Sequence, residues 1–332
     1  MGKGENSVAM LRDIMKTSLI TVQPETPLKK VAEQMVNGNI RRIVVSLGPT
    51  PLGVVSARTI LREALSNPNW REKPVKDVAR PGIFADPDTP IKVGAKIMAR
   101  YGVGSLLIRG GGIVTERDVA KAIPRMRIPA IAVATTQVYM LDSDSTLNDA
   151  TQAMVSLGIS HVPVVEGGKL KGIISIRDAL KALVNNDLNS KIGEKDYGSR
   201  KVISLTTDAT IADVADVITA NNVGSVILTE EPTDNASDVR GIVTEWDLVR
   251  TYANSVRAYV LLKAEPSKLR GLLASLASLP RVTSISPIFG PYDVLVTVDV
   301  EASDVLGTYV TQSIGNQSGV RETLTLIEAE AI

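Results

Sequence analysis

One short pattern occurs four times in the chain, and four copies of a pattern require a fold built from similar units. Each copy is a glycine, two β-branched residues and a serine or threonine, and the copies lie at 53–56, 112–115, 172–175 and 241–244. We call these segments the signatures of repeats one to four. Before each signature, an alternating apolar stretch predicts a strand and a periodic apolar stretch predicts a helix. At 332 residues the chain exceeds one ordinary core, which agrees with several repeated units.

The start of the first helix of each repeat follows a second pattern. A threonine followed by proline, or by aspartate three residues later, is typical of a helix N-terminus. These pairs are Thr26-Pro27, Thr89-Pro90, Thr146 with Asp149, and Thr210 with Asp213. We expect each threonine to cap its helix and each proline to occupy the first helical position.

The four repeats are of two alternating kinds. Repeats one and three carry polar or basic residues before the hairpin, at 41–42 and 160–161, whereas repeats two and four carry Val-Gly-Ser at 103–105 and 223–225. A single repeat of about 60 residues is marginal for burying a core. The alternation therefore predicts two modules, each containing one repeat of either kind.

The signature places a hydroxyl residue at the turn between a strand and a helix. Free N–H groups at a helix N-terminus attract phosphate, and the hydroxyl adds one hydrogen bond. Three residues later lie Asp118, Asp178 and Asp247, and a carboxylate in such a place accepts hydrogen bonds from a ribose diol. In one copy this spacing is most simply a helix cap. Its recurrence in one topology favours nucleotide binding in addition to capping.

On these residues the chain resembles tandem CBS domains paired as Bateman modules. The resemblance implies an α+β fold of four β-α-β-β-α repeats, with clefts for adenosine-containing ligands between paired repeats. We expect the repeats at 8–66, 74–126, 127–186 and 191–253. In this family pattern the signature aspartate holds the ribose, and Ser56, Thr115, Ser175 and Thr244 approach the phosphate. The resemblance implies further phosphate contacts from Arg58, Arg117 and Arg177. It implies that the main chain near Ile20, Ile83, Tyr139 and Ile203 contacts the base.

Two departures from the family pattern change the expected sites. Repeat one has Thr59 where the ribose aspartate belongs, so at most three competent nucleotide sites are expected. Repeats two and four lack the polar pair before the hairpin. Phosphate charge is then expected from Arg41, Arg42 and His161, with Ser160 beside them. The alternatives are a solvated arginine pair and a partly exposed histidine in a turn.

Residues 254–332 have a different pattern, β-α-β-β-α-β, which is ferredoxin-like. Two stretches, at 290–293 and 319–325, resemble the effector (RAM) domain of Lrp/AsnC regulators. The resemblance implies dimerisation through the sheet and an amino-acid site near the turn. The candidate effector residues are Gly290, Tyr292, Asp293, Thr323 and Thr325. The alternative for Asp293 is a simple turn residue.

The composition narrows the function classes. The chain has no cysteine and one histidine, and no Ser-His-Asp constellation or metal-ligand cluster is evident, which argues against an enzyme. Its net charge of +1 and 3% aromatic content argue against strong nucleic-acid binding. No apolar run long enough for a leader or a membrane span occurs, so we expect a cytoplasmic protein.

The expected function is that of a non-catalytic sensor of AMP, ADP, ATP or another adenosyl compound. No cofactor is expected, and magnesium is expected only as a nucleotide counterion. We expect a homodimer or higher homo-oligomer, without a membrane and with an unidentified regulated protein as partner. The alternative functions are a nucleic-acid-linked transcriptional regulator and a regulatory subunit of a separate enzyme.

Overall fold

The structure is a computed structural model that describes residues 9–199 and 201–329. The outer ends of the expected repeat-one and C-terminal ranges, at 8 and 330–332, lie outside the described residues. Each repeat has the predicted order β-α-β-β-α. Repeat one contains β1 (Thr21–Val22), α1 (Leu28–Asn37), β2 (Arg42–Leu47), β3 (Thr50–Ser56) and α2 (Ala57–Ser66). After a connecting strand, β4 (Arg80–Pro81), repeat two contains β5 (Phe84–Ala85), α3 (Ile91–Tyr101), β6 (Ser105–Ile108), β7 (Ile113–Thr115) and α4 (Glu116–Ala122).

The second half of the repeat region follows the same plan. Repeat three contains β8 (Leu141–Asp142), α5 (Leu147–Ser156), β9 (His161–Glu166), β10 (Lys169–Ser175) and α6 (Ile176–Asn185). Repeat four contains β11 (Ser204–Thr206), α7 (Ile211–Asn221), β12 (Ser225–Thr229), β13 (Val239–Thr244) and α8 (Glu245–Asn254). In every repeat the first strand runs parallel to the second, and the second and third form an antiparallel hairpin.

The first helix of each repeat begins in one of two ways. Thr146 and Thr210 cap α5 and α7 through capping boxes with Asp149 and Asp213, as predicted. The prediction is wrong by one residue for α1 and α3, because the prolines at 27 and 90 themselves occupy the cap positions. Their extended backbone ends the preceding segment, so the threonine before each proline lies outside the helix.

Each repeat exchanges a connecting segment with its neighbour in the chain. The segment before one repeat forms a bridge with the signature strand of the other repeat of the same module. The bridged pairs are Lys16 with Ile113, Arg80 with Val54, Thr135 with Ile242, and Ser199 with Ile173. A Cβ added at Gly53 would lie 2.3 Å from the carbonyl oxygen of Arg80, so the signature glycine permits this close approach. The predicted pairing of one with two, and of three with four, is therefore confirmed.

The helices pack like with like across the two modules. Helices α1 and α2 contact α5 and α6, and helices α3 and α4 contact α7 and α8. The first contact buries one continuous core that includes Leu28, Met35, Leu147 and Met154. The second buries side chains of repeats two and four in two adjoining clusters. Apolar burial of this kind is the main stabilising contribution, and it brings the four signature helices together around one centre.

The C-terminal domain has the predicted ferredoxin-like order. Its elements are β14 (Val256–Ala264), α9 (Leu269–Ser278), β15 (Val282–Pro287), β16 (Val294–Val300), α10 (Ser303–Tyr309), which continues as a π-helical segment (Val310–Ile314), and β17 (Val320–Ile327). The sheet order is β15-β16-β14-β17, and all neighbours are antiparallel. Helices cover one face, where Val260, Leu262 and Val296 are buried.

This domain is joined directly to repeat four. Helix α8 ends at Asn254, and β14 begins two residues later. The N–H of Arg281 donates to the carbonyl of Arg127 at 2.9 Å, and the guanidinium of Arg127 donates to two carbonyls, of Ala277 and Val282. Among the described residues, no helix is long and apolar enough to cross a membrane.

Candidate functional site

A cavity of about 880 Å³ lies where the four repeats meet. Its repeat-one end is lined by the signature helix of repeat one and the segment around Arg80 and Ile83. Its repeat-four end is lined by the signature helix of repeat four and the segment around Tyr139. Glu116 and His161 line it from repeats two and three. The volume is in the range of small-molecule sites.

The signature aspartates cap the helices that they begin. Oδ2 of Asp118, Asp178 and Asp247 accepts a hydrogen bond from the backbone N–H of the signature hydroxyl residue at 2.9, 2.8 and 2.8 Å. The hydroxyl groups donate to the same oxygen atoms. Oδ1 of Asp118 lies 3.3 Å from Nζ of Lys16. In the described part of the chain, Oδ1 of Asp178 and of Asp247 has no hydrogen-bond or ion-pair partner.

Asp247 is the one signature aspartate that lines the cavity. Burial raises the pKa of Asp247, and the hydrogen bonds from Thr244 offset part of that effect. The aromatic side chains of Trp246 and Tyr139 line the same end, and aromatic faces stack on nucleobases. The repeat-four end therefore combines an acceptor for hydroxyl groups with surfaces for a flat ring.

Repeat one retains the cap without a carboxylate. Oγ of Ser56 accepts a hydrogen bond from the N–H of Thr59 at 3.2 Å and lies 2.9 Å from its Oγ1. Both residues line the cavity. Helix α2 is thus capped by Ser56 alone, and Thr59 provides neither the reciprocal bond of a capping box nor a carboxylate for a diol.

The residues implied in base contacts lie beside the signature of the opposite repeat of their module, because of the segment exchange. Ile83 and Tyr139 line the cavity, at its repeat-one and repeat-four ends. Ile20 and Ile203 lie on the segments that adjoin the signatures of repeats two and three. The carbonyl groups of Ile20, Ile83 and Ile203 accept hydrogen bonds from their own sheets at 3.2, 2.9 and 3.0 Å. A ligand would therefore meet their N–H groups more readily than their carbonyl groups.

Two buried glutamates bind the arginines at the centre of the cavity. Glu116 lies 2.9 Å from a guanidinium nitrogen of Arg41 and 2.9 Å from one of Arg42. Glu245, whose side chain is 1% exposed, is bound by Arg41 at 2.5 Å and also by Arg117. The predicted alternative of a solvated arginine pair is wrong, because both arginines lie inside this network. It joins repeats one, two and four.

The charges of this network stabilise one another. Burial alone would raise the pKa of Glu116, but the charges of Arg42 and Arg41 outweigh it and hold that pKa below its ordinary value. Burial likewise acts to lower the pKa of Arg41, and Glu116 and Glu245 together raise it. A phosphate group entering the centre would therefore compete with carboxylates that are already in place.

The signature arginines cross between modules. Arg58 donates to the carbonyl of Ile159 at 3.0 Å, and Arg117 donates to Oδ1 of Asn222 at 2.9 Å. Burial lowers the pKa of Arg177, and the nearby charges of Arg41 and Arg117 lower it further. Arg177 has no hydrogen-bond partner among the described residues, and the charges of Glu245 and Asp178 partly offset the lowering of its pKa.

His161 is buried at the start of β9 and is 9% exposed. Its Nδ1 lies 3.0 Å from Oγ of Ser160, and its ring lies against Gly224, where an added Cβ would come within 2.5 Å of Nε2. Burial, followed by the charges of Arg41 and Arg177, lowers the pKa of His161 to about 3. The expectation that His161 supplies positive charge is therefore wrong at neutral pH, and so is the alternative of a partly exposed turn residue.

Glu116 and Glu245 were not predicted from the sequence as site residues. Both directly follow the signature hydroxyl in repeats two and four, where repeats one and three have Ala57 and Ile176. An acid at a helix position that is apolar in the other repeats is a detectable signal. Its occurrence in the two repeats that lack the basic pair indicates the ion pairs that the structure shows.

The candidate effector residues of the C-terminal domain lie in two places, the turn before β16 and the strand β17. Asp293 Oδ2 accepts a hydrogen bond from the N–H of Ala264 at 2.7 Å, which fixes the turn against β14. The ring of Tyr292 lies under Nζ of Lys263, and Gly290 has a φ of 141°. Thr323 and Thr325 pair with Leu262 and Val260 on the helix-covered face. Asp293 is therefore a turn residue, which is the alternative that the sequence offered. Amino-acid binding by this domain stays a prediction.

Paired sheets with exchanged segments, and clefts bordered by capped helix starts, define a class of repeat proteins built from two-repeat modules. A family comparison makes this specific: the model of the CBS domain matches residues 11–66, 75–125, 130–185 and 195–254, and the chain belongs to this family. The Lrp/AsnC ligand binding domain matches residues 257–332. Among the described residues, no group of three or more His, Cys, Asp or Glu could hold a metal ion.

Several proteins similar to the chain come from archaea. An uncharacterized 17.7 kDa protein of Acidianus ambivalens is 36% identical over 107 residues, which is 30% of this chain and 65% of that protein. The chain spans 52% of the uncharacterized protein MJ0188 of Methanocaldococcus jannaschii, at 25% identity. The crystal structure of protein MJ1225 from the same organism has a TM-score of 0.63 and 21% identity, and the match covers 74% of this chain and all of that one. This likeness shows that the repeat region shares its fold.

Proposed function

We propose that the chain is a non-catalytic regulatory protein that binds AMP, ADP, ATP or a related adenosyl compound in its CBS clefts. The observation that carries the proposal is the carboxylate of Asp247. One of its oxygen atoms caps α8, and the other is unpaired among the described residues at the edge of the cavity. A ribose diol would supply the missing hydrogen bonds.

The surroundings of Asp247 fit the remaining parts of a nucleotide. Trp246 and Tyr139 offer aromatic surfaces for a base. The N-terminus of α8 and the central arginines offer donors for phosphate. Protein MJ1225 is related to g-AMPK in the description of its crystal structure, which is consistent with a regulatory role.

The proposal is tested by Asp247→Ala, with Asp213→Ala as its matched control. Both variants remove one capping box from repeat four, so each should lose about 1 kcal/mol of stability. Only Asp247 lines the cavity. Because a hydrogen bond to a charged group contributes about 1.5–3 kcal/mol, Asp247→Ala should weaken AMP binding by about tenfold or more.

Titration calorimetry with AMP, ADP and ATP measures these affinities. Equal affinity of the two variants would contradict a ribose role for Asp247, and absence of binding to the unaltered chain would contradict nucleotide sensing. Asp118→Ala and Asp178→Ala report the clefts of repeats two and three in the same way. Release of phosphate from labelled ATP would contradict the non-catalytic part of the proposal.

We further propose that the C-terminal domain sets the oligomeric state. Its helix-free sheet face carries Tyr259, Leu261, Leu295, Leu324 and Leu326, which are neighbours across β14, β16 and β17. Leu324 and Leu326 are 41% and 50% exposed. A flat apolar face of this kind is suited to the same face of a second copy.

A further inference from the structure

We infer that the repeat-one end of the cavity is an anion subsite, which binds a phosphate group where the other repeats present a carboxylate to a diol. The inference rests on the proposed function, because it assigns a ligand group to one of the clefts that are proposed to bind nucleotides. Phosphate is the shared chemistry of two sources: the polyphosphate of a nucleotide in the same cavity, and a phosphate carried on a ribose hydroxyl.

The first step is the charge balance one helical turn after the signature. Three residues beyond the signature aspartate, or beyond Thr59, every repeat has a basic residue: Arg62, Lys121, Lys181 and Arg250. In repeats two to four that cation has an aspartate one turn away on the same helix. In repeat one Arg62 has Thr59 there, so its charge is not balanced by a carboxylate at that position.

The second step is the exchanged segment. The bridge of Arg80 to Val54 is equivalent to that of Lys16 to Ile113, since Val54 and Ile113 each follow the signature glycine. In repeat two, Lys16 lies 3.3 Å from the aspartate of the signature. The backbone of Arg80 pairs with the equivalent residue of the repeat-one signature, and that repeat has Thr59 at the position of the aspartate. Neither Arg62 nor Arg80 forms an ion pair with any described residue, and both line the cavity.

The third step is the buried side of the subsite. Arg58 lines it from the signature helix, and Ser56 and Thr59 contribute two hydroxyl groups. Burial lowers the pKa of Arg58; Glu116 opposes this effect, and the charges of Arg62, Arg42 and Arg41 add to it. The charges of Arg62, Arg42 and Arg41 therefore add to the cost of keeping Arg58 charged in this partly buried place. A dianion between them would relieve the repulsion and accept their hydrogen bonds.

The test uses pyrophosphate as the probe, the full-length chain and titration calorimetry without magnesium. The variant Arg62→Ala/Arg80→Ala removes the two unpaired cations, both of which are exposed. The matched control Lys16→Ala/Lys121→Ala removes the equivalent cations of repeat two and changes the net charge equally. We expect the first variant to weaken pyrophosphate binding by about tenfold or more, and the control to leave it unchanged. The variant Thr59→Asp, which adds the carboxylate of the other repeats, should also weaken pyrophosphate binding.

Two outcomes overturn the inference: no binding of pyrophosphate to the unaltered chain, or equal weakening by both double variants, which would indicate only general electrostatic attraction. The two sources of phosphate are distinguished by comparing the affinity of two ligands with that of AMP. ATP represents the polyphosphate, and adenosine 3′,5′-bisphosphate represents a phosphate on a ribose hydroxyl. If ATP or the bisphosphate binds more tightly than AMP, and the variant Arg62→Ala/Arg80→Ala abolishes that difference, the subsite is supported. The ligand that shows the difference identifies the source of the phosphate. AMP binding that depends on Asp247, without pyrophosphate binding, would leave the proposed function intact and refute the subsite alone; the reverse pattern would refute the proposed function alone.

Discussion

The buried histidine makes the stability of the protein depend on pH in a calculable way. His161 is the one histidine of the chain, and its pKa in the folded state is about 3 against about 6.5 in an unfolded chain. Between these values the unfolded state binds a proton that the folded state does not. Stability is therefore complete above pH 6.5 and falls as the pH decreases. From pH 7 to pH 5 the loss is about 2 kcal/mol, at about 1.36 kcal/mol for each unit below 6.5.

The measurement is the free energy of unfolding from urea titrations at pH 7 and pH 5. The control is His161→Gln, which removes the titrating group and retains a polar side chain. The variant should show a nearly flat pH dependence in this window, because ordinary carboxyl groups titrate lower. A constant loss of stability in the variant does not affect the comparison, since the slope is the readout. The same slope in both proteins would refute the burial of a neutral His161.

Two further predictions concern the centre and the tail. Glu245→Gln should lower the free energy of unfolding by about 3 kcal/mol, because Arg41 and Arg117 lose their shared buried carboxylate; pyrophosphate should restore part of the loss, and an equal loss with and without it would contradict competition at the centre. Deletion of residues 254–332 should lower the oligomeric state measured by light scattering, and an unchanged mass would contradict the role of the sheet face.

The repeats and their helix caps could be predicted because they depend on short-range chemistry. The hydroxyl residue and the aspartate of a signature are three positions apart, and their hydrogen bonds form within one turn. The failures at Pro27 and Pro90 are also local. Proline is compatible with either the cap or the first helical position, and the threonine before it does not determine which of the two the proline occupies.

The charge network could not be located in the same way, because its partners are distant in the chain. Arg42 and Glu116 are 74 positions apart, and Arg41 and Glu245 are 204 apart. The sequence shows the arginines and the glutamates but not which repeats face one another. The state of His161 depends equally on its neighbours, since the repeat-four glycine at 224 closes over its ring. The distances between like repeats are set by the packing of whole helices, which a local pattern does not encode.

The exchanged segments determine how the chain can be divided. A cut in the connection between repeats one and two would separate Arg80 and Pro81 from β3, the strand that they border. A single repeat produced alone would therefore keep its own core helices but expose an unpaired strand edge, a template for aggregation. The same segment is also a wall of the cleft, so an isolated repeat would lack half of its ligand site. Gene duplication, domain transplantation and truncation can preserve a complete cleft only when they keep two repeats together with the segment that precedes each.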